Sequence, residues 1–357
     1  MTDTTRDLPL ADRLVAAVTG AFEVAAVDLG DRLGWYRALA DAPATAPQLA
    51  ARTDTDPRYA REWLEQQAVA GYLTVDDVRA APDERCYTLP AEHRAVLVDE
   101  VHPDYATPMA RMAMTFTRNV PRLAEAYRTG GGVSWADMGP EAREGQAAAN
   151  RPFFTGALVT EVLPGLAEVD AVLRSGGRVA DVGCGFGWSS IGMATGYPEA
   201  RVDGFDVDEP SVEQARRNAE EAGVADRVRF SVADVGDLTE AGEFDLVTAF
   251  ECVHDLPDPV SVLAAMRRMV RPGGSVLVMD EAVAEEFTAP GSEVDRLMYG
   301  YSLLCCLPDG RSHEPSVATG TVMRPDTLRR YARDAGFSGV DILPLENDFF
   351  RFYRLVS

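Results

Sequence analysis

The chain has 357 residues, enough for two domains and a sizeable core. Its composition, 46% hydrophobic and 25% charged, is that of a globular protein, and no uninterrupted apolar run reaches the ~20 residues a membrane span needs. A net charge of −23 repels phosphate backbones and argues against nucleic acid as the main partner.

Residues 1–10 are polar and carry acids, so they do not read as a secretory signal. The five cysteines are Cys86, Cys184, Cys252, Cys305 and Cys306. Odd in number and scattered, they give neither a disulfide framework nor a paired zinc spacing. Reduced thiols in a cytoplasmic protein without a metal are the expectation.

Residues 9 to about 90 predict helices followed by a short hairpin. Leu14, Val18, Phe22, Ala25 and Leu29 recur at helical spacing on one face. Thr45 with Gln48 three residues on is a capping-box pattern. Asp56-Pro57 is an N-cap followed by proline at the first helical position, and that helix can stop at Gly71. Two β-like pieces, 72–75 and 86–89, complete a winged helix-turn-helix. Residues 100 to about 170 predict helices broken at Gly130-Gly131-Gly132, a connector able to form a lid. Met109, Met112, Met114 and Phe116 in it are candidates to line an apolar pocket.

From Arg178 onward strands alternate with helices. The predicted strands are 178–182, 202–207, 228–233, 244–250 and 275–279, with a turn at Arg271-Pro272-Gly273-Gly274 before the last. Alternating βα units imply a mostly parallel sheet covered on both faces. A helix over 325–335 and two runs, 340–343 and 350–355, follow, and the two runs can pair as an edge hairpin.

The strongest motif is Val179-Ala180-Asp181-Val182-Gly183-Cys184-Gly185-Phe186-Gly187, a strand that ends in a glycine-rich turn opening a helix. Its spacing is G-x-G-x-G, not the G-x-G-x-x-G of dinucleotide sites. The next strand ends at Asp206, placed to accept both hydroxyls of a ribose. The third ends Ala233-Asp234-Val235 and the fourth leads into Phe250-Glu251. These tips share the carboxyl edge where open α/β sheets bind ligands.

The series Asp181-x-Gly183-x-Gly185-x-Gly187, Asp206, Asp234 and the Arg271-Pro272-Gly273-Gly274 turn resembles the class I methyltransferases that use S-adenosylmethionine (SAM). That resemblance covers the chain from about residue 175 onward. The run Leu33-Gly34-Trp35-Tyr36-Arg37-Ala38-Leu39-Ala40, then Leu49-Ala50-Ala51-Arg52-Thr53 and the winged helix, is similar to small-molecule and natural-product O-methyltransferases with an N-terminal winged-helix dimerisation domain. The resemblance implies an α/β fold, a Rossmann-like seven-stranded sheet preceded by a mostly α-helical winged helix-turn-helix domain. The expected division is 1–100 winged-helix domain, 101–170 connector or lid, and 171–357 SAM-binding domain. It implies that Asp181, Gly183, Cys184, Gly185 and Gly187 hold the methionine end of SAM. Asp206 and Val207 would hold the ribose, Ala233, Asp234 and Val235 the adenine, and Phe250 and Glu251 the methionine side. The implied partners are a small-molecule acceptor and a second copy of the chain, with S-adenosylhomocysteine (SAH) as the product.

Methyl transfer from a sulfonium is an in-line displacement in which positioning and exclusion of water do much of the work. A base is needed only where the acceptor must lose a proton. His254-Asp255 stands just past the fourth strand, and the resemblance implies a general base there, although Leu256 stands where tryptophan usually follows. Glu251 is the second catalytic candidate. Asp280 and Glu281, after the fifth strand, are placed to bind an amine or orient His254. His313 and Glu314, in a loop-rich insertion over 307–321, are weaker candidates. A SAM-sensing transcription factor is the alternative from another class. It fits poorly with a predicted recognition helix carrying Glu62 and Glu65 beside Arg58 and Arg61, and with a wing holding Asp76, Asp77, Asp83 and Glu84. N- or C-methylation, or a non-methylating use of the sulfonium, are further alternatives.

Overall fold

A computed structural model describes residues 8–239 and 241–357. Residues 1–7, most of the stretch read as lacking a signal, lie outside the described residues. The chain divides into two compact units, Met1–Thr115 and Phe116–Ser357. Among the described residues no helix is long and apolar enough to cross a membrane.

The first unit starts with α1 (Leu10–Arg32), α2 (Trp35–Asp41), α3 (Ala46–Thr53) and α4 (Pro57–Val69). The expected caps are present. Thr45 and Gln48 exchange side-chain and backbone hydrogen bonds ahead of α3, and the Asp56 carboxylate accepts the Arg58 and Tyr59 N–H groups ahead of α4. The core is aromatic: Trp63 lies 4.8 Å from Trp35 and 5.0 Å from Tyr36, centroid to centroid. The α1 backbone fits against Trp63 only because residue 30 is glycine, since a Cβ there would lie 2.3 Å from the indole. Strands β1 (Thr74–Val75) and β2 (Tyr87–Thr88) pair antiparallel as the wing. The expected apolar stripe of α1 is there but faces solvent, with Leu14 65% and Phe22 70% exposed. The basic groups around α4 pair with acids, Arg58 with Glu62, Arg61 with Asp83 and Arg85 with Glu65.

The second unit is built on seven strands: β3 (Arg178–Val182), β4 (Arg201–Asp206), β5 (Val228–Val232), β6 (Phe244–Phe250), β7 (Val270–Glu281), β8 (Gly339–Ile342) and β9 (Phe350–Val356). Their order is β5-β4-β3-β6-β7-β9-β8, and only β9 runs against the rest, pairing antiparallel with both β7 and β8 at that edge. Every residue of β6 is buried, as expected of a strand covered on both faces. One core layer joins Leu158, Ile191, Val212 and Phe230; the other joins Leu263, Met266, Leu328 and Tyr331 on the opposite side. Strand order reverses between β3 and β6, which opens the ligand crevice of doubly wound sheets there.

Two details depart from the sequence reading. The Arg271-Pro272-Gly273-Gly274 turn lies inside β7 as an irregularity: Val270 pairs with Phe244, then Ser275 with Leu246. The insertion expected to be loop-rich from 307 starts as helix. Residues Glu293–Tyr301 are α-helical, Ser302–Cys306 form a π turn, and Leu307–Gly310 are α-helical again. The wider π turn ahead of Pro308 relieves the clash proline makes with a regular preceding turn.

Candidate active site at the carboxyl edge of the sheet

The glycine turn is fastened to the neighbouring strand. Gly183 and Cys184 donate their N–H groups to the Phe205 carbonyl at 2.8 and 3.1 Å. Gly185 donates to the Asp206 carboxylate at 2.8 Å, and Asp208 N–H reaches the other oxygen at 2.9 Å. Burial holds the Asp206 carboxyl above its usual range, against these backbone donors. Gly185 has φ +51°, and a Cβ there would meet nothing within 4 Å, so the turn has an open side. Gly187, with φ +80°, faces inward instead, where a Cβ would lie 2.5 Å from Phe230. The Cys184 side chain is buried toward Gly204, so only its backbone borders the turn.

Asp181 lies beneath the turn. It is 1% exposed, and its carboxylate accepts hydroxyls from Ser189 at 2.5 Å, Ser190 at 2.6 Å and Thr248 at 2.8 Å. The sequence placed Asp181 among the groups that hold a ligand's methionine end. In the structure its oxygens are committed to these hydroxyls, so it pins the start of the helix Trp188–Gly196 to β3 and β6. Asp234 is exposed and caps its own turn by accepting Gly236 N–H at 2.8 Å; Val235 is buried, and Val207 is exposed beside Asp206.

The tip of β6 carries the ionisable cluster. Glu251 is in the left-handed region at φ +52°, an unusual conformation for a residue with a side chain. Burial pushes its carboxyl up to about 8, against the opposing charge of His254. His254 is 4% exposed. Its Nδ1 lies 2.8 Å from Asp280 Oδ1 and 3.3 Å from Glu281 Oε2, while Nε2 lies 3.4 Å from Asp255 Oδ2. Asp280 accepts only when ionised, so Nδ1 carries the proton of that bond. Burial works against a charged imidazole, but Asp255, Asp280 and Glu281 outweigh it and hold His254 well above its ordinary value. Burial raises Asp280 too, yet His254 and the Glu281 N–H overcome it and keep Asp280 below its usual range. Buried oxygens Glu251 Oε2, Asp255 Oδ1, Asp280 Oδ2 and Glu281 Oε2 make no hydrogen bond within the protein.

A helix that sequence reading left as connector, Pro140–Thr155, crosses this edge. Arg143 grips Asp208 through two hydrogen bonds of 2.7 and 2.6 Å, Arg151 stacks over Trp188 at 4.4 Å, and the Asn150 amide lies near enough to Glu251 to favour its ionised form. No local pattern marked Arg143, Asn150 or Arg151, because their partners lie far along the chain. The phenyl ring of Phe154 stacks on Phe250 at 6.0 Å. Phe116 meets Tyr301 edge-on at 6.1 Å; the sequence pointed to Phe116 but not to Tyr301. His313 is exposed, with Nε2 3.7 Å from Asp309 Oδ1.

Residues 173–312 match the model of a methyltransferase domain, and residues 22–99 match an Rv2258c-like winged HTH domain. The ubiquinone biosynthesis O-methyltransferase of Aromatoleum aromaticum is 34% identical over 185 residues, 51% of this chain and 73% of that protein. The 27-O-demethylrifamycin SV methyltransferase of Amycolatopsis mediterranei is 40% identical over 109 residues, 30% of this chain and 40% of its own. Among solved structures, the mitomycin 7-O-methyltransferase MmcR superposes with a TM-score of 0.70 at 21% identity, covering 97% of both chains. PigF with SAH gives 0.74 at 20%, covering 98% of this chain and 100% of that one. Human N-acetylserotonin methyltransferase in complex with SAM gives 0.69 at 18%, over 100% and 99%. These likenesses show a shared fold over both units, and with the sequence relatives they establish that the chain belongs to the SAM-dependent methyltransferases.

Proposed function

We propose that this methyltransferase transfers the SAM methyl group to a hydroxyl of a small molecule, with His254 taking the hydroxyl proton. The observation that carries this reading is the 2.8 Å bond between His254 Nδ1 and the buried Asp280, because it fixes the tautomer and leaves Nε2 as the basic atom. Likeness to a ubiquinone biosynthesis O-methyltransferase and a 27-O-demethylrifamycin SV methyltransferase agrees with it.

The residues fit the cofactor. The open side of Gly185 gives a ligand room to lie against the turn, and Asp206 stands beside it with acceptor oxygens for a ribose. Gly183, Cys184, Gly185 and Gly187 would border the methionine end, Asp206 and Val207 the ribose, Ala233, Asp234 and Val235 the adenine, and Phe250 and Glu251 the sulfonium side. Bound SAM supplies an activated methyl on a positively charged sulfur. The protein's own part is to orient and to exclude water. Arg143 and Asn150 tie the crossing helix to the tips of β4 and β6, which supports a lid role for the 101–170 segment.

The acceptor proton goes to His254 Nε2, and the resulting imidazolium is stabilised by Asp280 and Asp255. The solvent-facing stripe of α1 supports dimerisation through the winged-helix domain, since large apolar groups in a row mark association surfaces. Incubation with labelled SAM and a panel of phenols and alcohols tests the reading. The His254→Ala variant is expected to keep SAH affinity and to lose roughly 10²–10⁴ in turnover on a hydroxyl acceptor. Unchanged turnover would remove His254 from the chemistry.

A further inference from the structure

His254, Asp255 and Cys306 each bring one ligand atom within 4.8 Å of the other two, and Nε2, the nitrogen not bonded to Asp280, is the one that faces Asp255 Oδ2. Cys306 comes there as the last residue of the π turn Ser302–Cys306. The Nε2 to Oδ2 separation of 3.4 Å is long for a hydrogen bond. It matches the N-to-O edge of a tetrahedral zinc site, about 3.3 Å from metal–ligand bonds of about 2.0–2.2 Å. The rest of the arrangement is also that of a metal-binding imidazole. Its other nitrogen donates to a buried carboxylate, Asp280, which fixes the tautomer and raises the basicity of Nε2. Asp255 Oδ1 is buried and makes no hydrogen bond within the protein.

We propose that His254 Nε2, Asp255 and Cys306 form a binding site for a thiophilic divalent cation such as zinc, with the fourth position open to solvent or acceptor. A nitrogen, an oxygen and a sulfur donor select zinc or cobalt over magnesium or calcium. Binding releases the Cys306 S–H proton to solvent as the sulfur–metal bond forms. The metal takes the same Nε2 lone pair that would accept the acceptor's proton. Metal and base catalysis therefore compete for one atom, and the proposal rests on the base reading only for that consequence. No local pattern marks the site, since His254 and Cys306 are far apart in the chain and no paired spacing links them.

The test is titration of the full-length protein with Co²⁺, read by visible and near-ultraviolet absorption. The expected result is one Co²⁺ per chain with tetrahedral d–d bands and a thiolate-to-cobalt charge-transfer band, displaced by Zn²⁺. Cys306→Ser is expected to remove the charge-transfer band, and both Cys306→Ser and Asp255→Asn to weaken binding at least about 100-fold, more than the loss of an outer-shell partner costs. No band in the wild-type protein, or a charge-transfer band that survives in Cys306→Ser, overturns the proposal. SAH calorimetry on the same preparations reports the cofactor site separately: normal SAH heat without a cobalt band sinks the metal site and leaves the methyltransferase reading standing.

Discussion

Two glycines in one turn are expected to fail in different ways. At Gly185 an alanine enters the left-handed region, which costs an L-residue about 1–2 kcal/mol, but its methyl group meets nothing within 4 Å. At Gly187 the same backbone cost applies, and the new Cβ sits 2.5 Å from Phe230 and 3.0 Å from Ala215. Overpacking of that kind adds about 1–3 kcal/mol, so Gly187→Ala is expected to lose roughly 2–5 kcal/mol in all. That is a large part of a typical stability of about 5–15 kcal/mol. In Gly185→Ala the methyl group occupies the space proposed for SAM, so SAH affinity is expected to fall at least about 100-fold, near 2.7 kcal/mol. Urea unfolding of the ligand-free proteins and SAH calorimetry separate the two effects. Wild-type SAH affinity in Gly185→Ala refutes the assignment of the turn's open side to the cofactor. A wild-type urea midpoint in Gly187→Ala refutes the packing argument.

Other outcomes follow from the same geometry. Asp206→Ala is expected to weaken SAH binding by two orders of magnitude or more, because a hydrogen bond to a charged acceptor is worth about 1.5–3 kcal/mol and a ribose offers two; calorimetry measures it. Asp181→Ala strands the Ser189, Ser190 and Thr248 hydroxyls. At about 1 kcal/mol or more each, the melting midpoint should fall by about 6–12 °C by calorimetric scan. The neutral imidazole is the form that takes a proton, and the surrounding carboxylates hold His254 well above its ordinary value. The rate should therefore rise with pH through a limb above the usual histidine range, and Asp255→Asn should move that limb toward neutrality. Leu14→Glu with Phe22→Glu puts charge on the exposed stripe of α1; light scattering is expected to give a dimer for the wild-type chain and a monomer for the double variant.

Much of this was legible in the sequence, for physical reasons. Short apolar runs ending in glycine or acid gave β3 to β6 almost to the residue, because a buried parallel strand leaves little latitude in composition. The caps of α3 and α4 were local and therefore readable. Asp181 was visible, but not its work: only the fold brings Ser189, Ser190 and Thr248 onto it. The Asp280 partner of His254 and the Asp208 partner of Arg143 are likewise products of strand order rather than of local pattern. The stripe of α1 was legible and its exposure was not, because periodicity marks an apolar face without saying what covers it.

The seating of the crossing helix restricts how the carboxyl edge of the sheet can be reshaped. Gly192 lies under the Phe154 carbonyl so closely that a Cβ would stand 2.2 Å from that oxygen. Main chain rests on main chain there, with no side chain between them to shorten or lengthen. Engineering a wider substrate range by loosening this joint would disturb the cofactor turn first, since the same short helix starts at Gly187. On the Glu293–Tyr301 helix, by contrast, a Cβ at Gly300 would meet nothing within 4 Å, so a change of size there meets no such joint.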